Sequence, residues 1–430
     1  MTVNGRRRLA LINFLPLSNV RLNSLLKTRL ADLHAAGLLR GLRRVDSPTS
    51  PHLQLDGQRL HNFASNDYLG LANHPVLREA AIQAIERFGI GSGGSRLMGG
   101  SLAPHHELEA ALADFKGTEA ALSFASGYAT AVGTISALLG KDDVIILDKL
   151  VHASLVDAAR LCGAKIRVYK HNDLADLERI LQWATRPRPA NSGGRPPRPN
   201  VLVVTESVFS MDGDGAPLRE VVALKERYGV WLMLDEAHAT GLYGEQGQGL
   251  ANAQGVADRI EIQMGTLGKA LGVSGGYIAG SRKLVDYLVN RARSFIFSTA
   301  PPPAVAAAAT AAVRYVQTPA GQELRHRLWT HVRALVSHFP PPGGRSPSAI
   351  FPVIVGDEAA TVALFAALRE RGFFVPAIRY PTVARGAARL RITLTAAHAA
   401  EDINALADAL RLLLPRFSQT KIDHAPPRPT

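Results

Sequence analysis

The side chains best suited to chemistry in this sequence sit just after short apolar runs. Asp235 follows VWLML at once, with His238 three residues on, in DEAHATG. Lys269, hemmed by glycines in TLGKALGVSGG, comes shortly after IEIQM. Ser126-Gly127-Tyr128 follows ALSFA and opens a helical stretch, His152 follows VIILDK, and Glu206 and Ser210 follow VLVVT. If those runs are neighbouring parallel strands, one lysine, one strand-end aspartate, two histidines and a helix start converge on a single edge. A lysine so placed can form an imine or move a proton, a buried carboxylate can hold a cation, and histidines can hydrogen-bond or stack.

A metal centre does not account for this set, because there is no HExxH, no paired CxxC, and Cys162 is the only cysteine. Pyridoxal phosphate (PLP) does. Its aldehyde needs a lysine and its pyridine nitrogen a carboxylate. Its phosphate suits the amides of a helix N-terminus, and its ring a flat stacking partner. Two literal motif matches lack their context. Gly89-Ile90-Gly91-Ser92-Gly93-Gly94 satisfies GxGxxG but follows a helical run instead of a strand. Gly272-Val273-Ser274-Gly275-Gly276 satisfies GxSxG, but Ser274 precedes a strand where a nucleophile elbow would follow one.

The elements that must position these residues follow from periodicity. Seven apolar runs of strand length, ALSF (121–124), VIILD (144–148), KIRVY (165–169), VLVVT (201–205), VWLML (230–234), IEIQM (260–264) and GYIAG (276–280), alternate with helical patterns at 74–88, 153–162, 173–183 and 218–228. Such alternation predicts an α/β fold with a buried, mostly parallel sheet and helices on both faces. Its ligands should lie at the C-terminal strand ends. Residues 24–45 read as a basic, partly amphipathic helix, with a hairpin at Asp56-Gly57 after it. Residues 184–200 read as a mobile Pro/Gly/Arg loop. An Ala-rich helix after Pro301–Pro303 leads to a second, smaller α/β domain with SAIFPVIVG, a helix over 358–371, FFVPAIR, LRITLT and a helix over 398–414. The expected divisions are 1–60 (extension and helix), 61–300 (large cofactor-binding domain), 301–418 (C-terminal domain) and 419–430 (disordered tail).

Composition sets the outer limits. With 47% apolar and 20% charged residues over 430 positions, the chain is ordinary globular material, neither disordered nor a disulfide scaffold. The net charge, 49 − 36 = +13, invites nucleic acid or an acidic partner. No dense Lys/Arg tract interleaved with aromatics appears, so dispersed surface arginine is preferred. Residues 120–140 carry no charge, but eight Gly, Ser or Thr argue for a strand running into a small-residue helix instead of a membrane span. Arg6-Arg7-Arg8 followed by LALINFLPL resembles a signal sequence without an A-x-A-like cleavage site. A cytoplasmic protein with a lone thiol, binding neither membrane nor nucleic acid, is expected.

Motif by motif, the chain from about Leu30 to Leu414 resembles the α-oxoamine synthases. The similarity runs through SNDYLGL (65–71), FGIGSGGSR (88–96), HAS (152–154), SVFSMDGD (207–214), DEAHATG (235–241), TLGKALGVSGG (266–276), FSTAPPP (297–303), VPAIRYPTV (375–383) and ARLRITLTAAH (388–398). The last two tip the choice to the branch that condenses L-alanine with a pimeloyl thioester, of coenzyme A or an acyl carrier protein. TLGKALG is also similar to the branch that uses glycine and acetyl-CoA. Tyr380 departs from the proline often found there. The resemblance implies a fold-type I PLP enzyme, a homodimer with sites at the subunit interface. It implies that Lys269 carries the cofactor and moves the α-proton, that Asp235 pairs with the pyridine nitrogen, that His238 bonds the ring oxygen, and that His152 stacks on the ring. Ser210, Thr266 and the Gly127-Tyr128 backbone would contact cofactor and phosphate, with Ser298 and Thr299 reaching over from the partner subunit. Arg391 would hold the amino-acid carboxylate, with Asn66 and His152 close to the substrate. Arg40 and Thr382, with Arg379 nearby, would contact the acyl chain.

Overall fold

The computed structural model describes residues 17–186, 199–340 and 348–417. The expected signal-like segment, most of the 184–200 loop and the expected disordered tail lie outside these residues. By contacts the chain divides into an N-terminal unit ending at Val45 and a second unit from Asp46 onward.

Among the described residues, the N-terminal unit contains one helix, α1 (Leu17–Ala35). It begins and ends earlier than the expected 24–45. Gly37 sits at φ 66°, its amide bonded to the His34 carbonyl, while the Leu38 amide reaches back to Leu33. That is a Schellman stop, which overrides the helix-forming AAGLLR composition that follows. Arg40, exposed, lies beyond it.

The second unit opens with β1 (His52–Leu55) and β2 (Gln58–Asn62), an antiparallel pair whose turn residues Asp56 and Gly57 both have positive φ. Helices α2 (Pro75–Phe88) and α3 (Ala103–Lys116) follow. The alternating region then runs β3 (Ala120–Phe124), α4 (Gly127–Leu138), β4 (Val144–Asp148), α5 (Ala153–Cys162), β5 (Lys165–Tyr169), α6 (Leu174–Thr185), β6 (Val201–Glu206), α7 (Leu218–Tyr228), β7 (Trp231–Asp235), α8 (Leu250–Ala253), β8 (Ile262–Thr266) and β9 (Gly276–Gly280). Helices α9 (Arg282–Arg291), α10 (Arg293–Ile296), α11 (Pro303–Val316) and α12 (Pro319–His338) lead to β10 (Ile350–Gly356), α13 (Glu358–Glu370), β11 (Phe373–Phe374), β12 (Ala377–Ile378), β13 (Ala388–Thr393) and α14 (Ala400–Phe417).

All seven expected runs join one sheet in the order β3-β9-β8-β7-β6-β4-β5. Neighbours from β8 to β5 are parallel, and β9 runs antiparallel to both β3 and β8. Strands β3, β4 and β6 are buried at every position, as near-continuous Val, Ile and Leu require when helices cover both faces. The charge-free 120–140 stretch is a strand and a buried small-residue helix, and among the described residues no helix is long and apolar enough to cross a membrane. A smaller antiparallel sheet, β10-β13-β12, lies in the C-terminal part. FFVPAIR does not form one strand. It gives two pairs of residues on either side of Val375-Pro376, because proline cannot donate to a ladder. The first pair, β11, adds to the β1–β2 hairpin in parallel with β2. The hairpin therefore belongs with C-terminal elements, across the expected 60/61 division.

Candidate active site

Asp235, His238 and Lys269 are placed by the ends of β7 and β8. β7 terminates at Asp235, whose Oδ1 accepts the Ala237 amide at 2.9 Å, turning the chain so that His238 follows at the edge. Behind this turn Glu236 is fully buried against Lys116, Oε2 to Nζ 2.6 Å, and accepts the Ala251 amide. Despite burial, which opposes the charge, Glu236 holds the Lys116 ammonium above its usual range. A Cβ on Gly249 would lie 2.3 Å from the Glu236 carboxylate, so glycine is required there. β8 ends at Thr266, and three residues later Lys269 Nζ lies 2.7 Å from His238 Nε2. His238 Nδ1 in turn lies 2.6 Å from the Tyr68 hydroxyl.

Burial dominates the electrostatics. It pushes His238 well below the usual histidine range, helped by the Lys269 and Arg391 charges, so the imidazole is neutral. A neutral ring has one donor and one acceptor nitrogen, and Lys269 faces Nε2 while Tyr68 faces Nδ1. Burial also brings Lys269 down to about 8, with Asp235 and Glu206 pulling the other way. Glu206, buried at the end of β6, is pushed up to about 8 by burial and by Asp235, and accepts the His152 amide. Asp235 is raised by burial, against the pull of Lys269 and His152.

The C-terminal sheet closes the site through two arginines of β13. Arg391 donates Nε to the Ser210 carbonyl at 2.6 Å, and Nη1 to Asn66 Oδ1 at 3.1 Å and Thr393 Oγ1 at 2.8 Å. Arg389 grips Asp212 at 2.8 Å. The 208–215 loop they hold is pinned from behind. Gly213, at φ 68°, approaches the Ile350 carbonyl so closely that any Cβ would collide. Asn66 belongs to a loop fixed by Asp67, which accepts the Leu71 and Ala72 amides.

The residues present fit PLP. Asp235 is a buried carboxylate whose hydrogen bonding among the described side chains is the single Ala237 amide, which suits a pyridinium N–H. Ser126 caps α4, and the Thr266 hydroxyl lies beside Gly127, where an added Cβ would touch it at 3.9 Å. The Thr266 hydroxyl also accepts the Gly268 amide at 3.2 Å, so a helix start and a strand end face one another as a phosphate cradle requires. His152 caps α5 through Nδ1, at 3.2 Å from the Ser154 amide, leaving its ring at the edge.

Asp235, His238, Lys269, His152, Thr266, Gly127, Ser210, Asn66 and Arg391 are thus gathered around one strand edge. The Tyr128 hydroxyl points to Asp157 instead, 3.3 Å away, so only its backbone can serve a phosphate. Ser298 bonds the neighbouring Thr299 carbonyl, and Thr299 pairs with Ser95; among the described residues neither bonds a site residue of its own chain. Arg379 and Thr382 form a turn after β12, joined by the Thr382 amide and Arg379 carbonyl at 3.0 Å. Arg40 lies in the other unit. Tyr68 is the functional side chain that strand-end reasoning misses. It sits on a loop, and its only sequence signal is membership of SNDYLGL.

This fold and this edge define the class: fold-type I PLP-dependent enzymes. The family model for aminotransferase class I and II matches residues 58–410. A solved serine palmitoyltransferase from S. paucimobilis with bound PLP is 31% identical, with TM-score 0.82 over 93% of this chain and 98% of that one. A solved 8-amino-7-oxononanoate synthase from Francisella tularensis is 26% identical, with TM-score 0.68 over 83% and 99%. The 8-amino-7-oxononanoate synthase of Geotalea daltonii is 48% identical over 89% of this chain and 95% of its own length. That of an Anaeromyxobacter species is 51% identical over 89% and 94%. The chain belongs to the family of 8-amino-7-oxononanoate synthases.

Proposed function

We propose that this protein condenses L-alanine with a pimeloyl thioester, of coenzyme A or an acyl carrier protein, releasing carbon dioxide and the free thiol to give 8-amino-7-oxononanoate for biotin synthesis. The observation that carries this reading is the Tyr68–His238–Lys269 chain set against Asp235 and Arg391. The cofactor is PLP, which supplies an aldehyde to take up the amino acid and a ring that draws electrons from its α-carbon.

Lys269 holds the cofactor and then, as an amine that titrates near 8, takes and returns the proton at alanine's α-carbon. Neutral His238, oriented by Tyr68, donates or accepts at the ring oxygen and keeps the Lys269 amine in line. The Asp235 carboxylate keeps the pyridine nitrogen protonated, because an opposite charge at about 4–6 Å favours the charged form. His152 covers the ring. Thr266, Ser210 and the Gly127-Tyr128 amides hold the cofactor and its phosphate. Arg391, anchored by Ser210 and Asn66, binds the alanine carboxylate until it leaves as carbon dioxide. Ser298 and Thr299 serve the site of a second copy in a homodimer, which explains why neither bonds a site residue in its own chain. Arg379 and Thr382 contact the acyl chain.

Mass spectrometry of products from a matrix of alanine or glycine against pimeloyl-CoA or acetyl-CoA tests this. Alanine with pimeloyl-CoA should give by far the highest turnover. Preference for glycine with acetyl-CoA would assign the chain to the alternative branch.

A further inference from the structure

Away from the active site, the β1–β2 hairpin places two histidines directly opposite one another. His52 and His61 are cross-strand partners, with ring centroids 4.8 Å apart. Asp402, in the first turn of α14, points its carboxylate at both. Oδ1 lies 2.8 Å from His61 Nδ1 and 3.8 Å from His52 Nε2, and the three ligand atoms all lie within 4.8 Å of one another. Asp402 is 6% exposed, and the histidine side chains are about one-third exposed, so the cluster opens on one side.

We propose that His52, His61 and Asp402 form a binding site for one Zn²⁺ ion, tying the first strands of the second unit to its last helix.

Three observations carry this. The donor set, two imidazoles and one carboxylate, suits zinc and leaves a fourth position for water or solute. Ligands at about 2.0–2.1 Å in tetrahedral array are mutually about 3.3 Å apart. The two measured separations bracket that spacing, and small rotations of the half-buried imidazoles close the rest. His61 Nδ1 is buried and makes no hydrogen bond, although it faces the Asp402 oxygen at 2.8 Å. A nitrogen and a carboxylate oxygen placed so, off hydrogen-bond geometry, are arranged to share a cation. The carboxylate is also oriented from outside the cluster, for Oδ2 accepts the Ala399 amide at 2.9 Å. His398, the next imidazole along, is not a ligand, since both its nitrogens are engaged by Thr395 and the Asn62 carbonyl.

Equilibrium dialysis of the full-length, PLP-loaded protein against Zn²⁺, with Co²⁺ as a coloured substitute, tests the site. One ion per chain should bind, with tetrahedral cobalt absorption and a Tm that rises with zinc. His52→Ala and His61→Gln should each weaken uptake by about 10-fold or more, and the double variant should abolish it. Both variants keep the α14 cap that Asp402 supplies, so folding and metal uptake are read separately. Undiminished uptake in the double variant would place the metal elsewhere and overturn the proposal. A wild-type protein whose Tm and absorbance ignore both metals would reduce the cluster to an ion pair, and overturn it equally.

Discussion

At the scale of single residues, the site works because burial removes charge where charge would be unhelpful. His238 is neutral and Lys269 titrates near 8, so a lysine ordinarily protonated far above neutrality can exchange its proton. Tyr68 is the group that fixes the imidazole from the far side. Tyr68→Phe should lower kcat roughly 5- to 10-fold, about the value of one hydrogen bond, and shift the alkaline limb of the kcat–pH profile, with little change in stability. An unchanged pH profile would make Tyr68 a packing residue. Asp235→Asn is nearly isosteric and should slow turnover roughly 10- to 1000-fold by losing the ring-nitrogen charge. The loss should be concentrated in exchange of alanine's α-hydrogen with deuterated water. Wild-type exchange in the variant would reduce Asp235 to a cap for the Ala237 amide. Asp235, His238 and Lys269 were legible in sequence because each follows an apolar run by a few residues. Tyr68 was not, because its partner is 170 positions away and its own segment is a loop.

Among the elements, the strand ends must stay in register for these contacts to persist, and one histidine joins three of them. His171, just after β5, bonds Asp148 at the end of β4 through Nδ1 and Asp214 of the 208–215 loop through Nε2, both at 2.9 Å. Burial opposes its charge, but the two carboxylates prevail and raise it to about 9. In the unfolded chain this group titrates near 6.5. Its contribution is therefore full below pH 6.5, falls as the pH rises, and is spent above about 9. Thermal unfolding of wild type and His171→Gln should differ by roughly 2 kcal/mol at pH 6, allowing for partial exposure, and converge by about pH 9.5. A gap that does not depend on pH would mean that the imidazole acts only by shape. Most elements were legible because their apolar periods are long and their caps strong, as with Ser126 on α4 and Asp173 on α6. The end of α1 was misread because one glycine conformation outweighs the residues around it, and the strand across FFVPAIR because Pro376 interrupts it.

For the whole molecule, the site is unfinished in one chain if Ser298 and Thr299 belong to a neighbour's cofactor. The C-terminal sheet, by contrast, closes the site from within the chain through Arg391, a contact that sequence suggested but could not locate. Mixing inactive Lys269→Ala protein with a Ser298→Ala/Thr299→Ala double variant should restore activity to about a quarter of wild type, as mixed dimers acquire one site with every group in place. No recovery after subunit exchange would confine each site to one chain. Every role assigned to the site depends on Lys269 as the residue that carries the cofactor. Borohydride reduction of the PLP-loaded protein, followed by peptide mass mapping, should find the pyridoxyl group on the peptide containing Lys269 and on no other. A pyridoxyl group on a different lysine, or none at all, would contradict it.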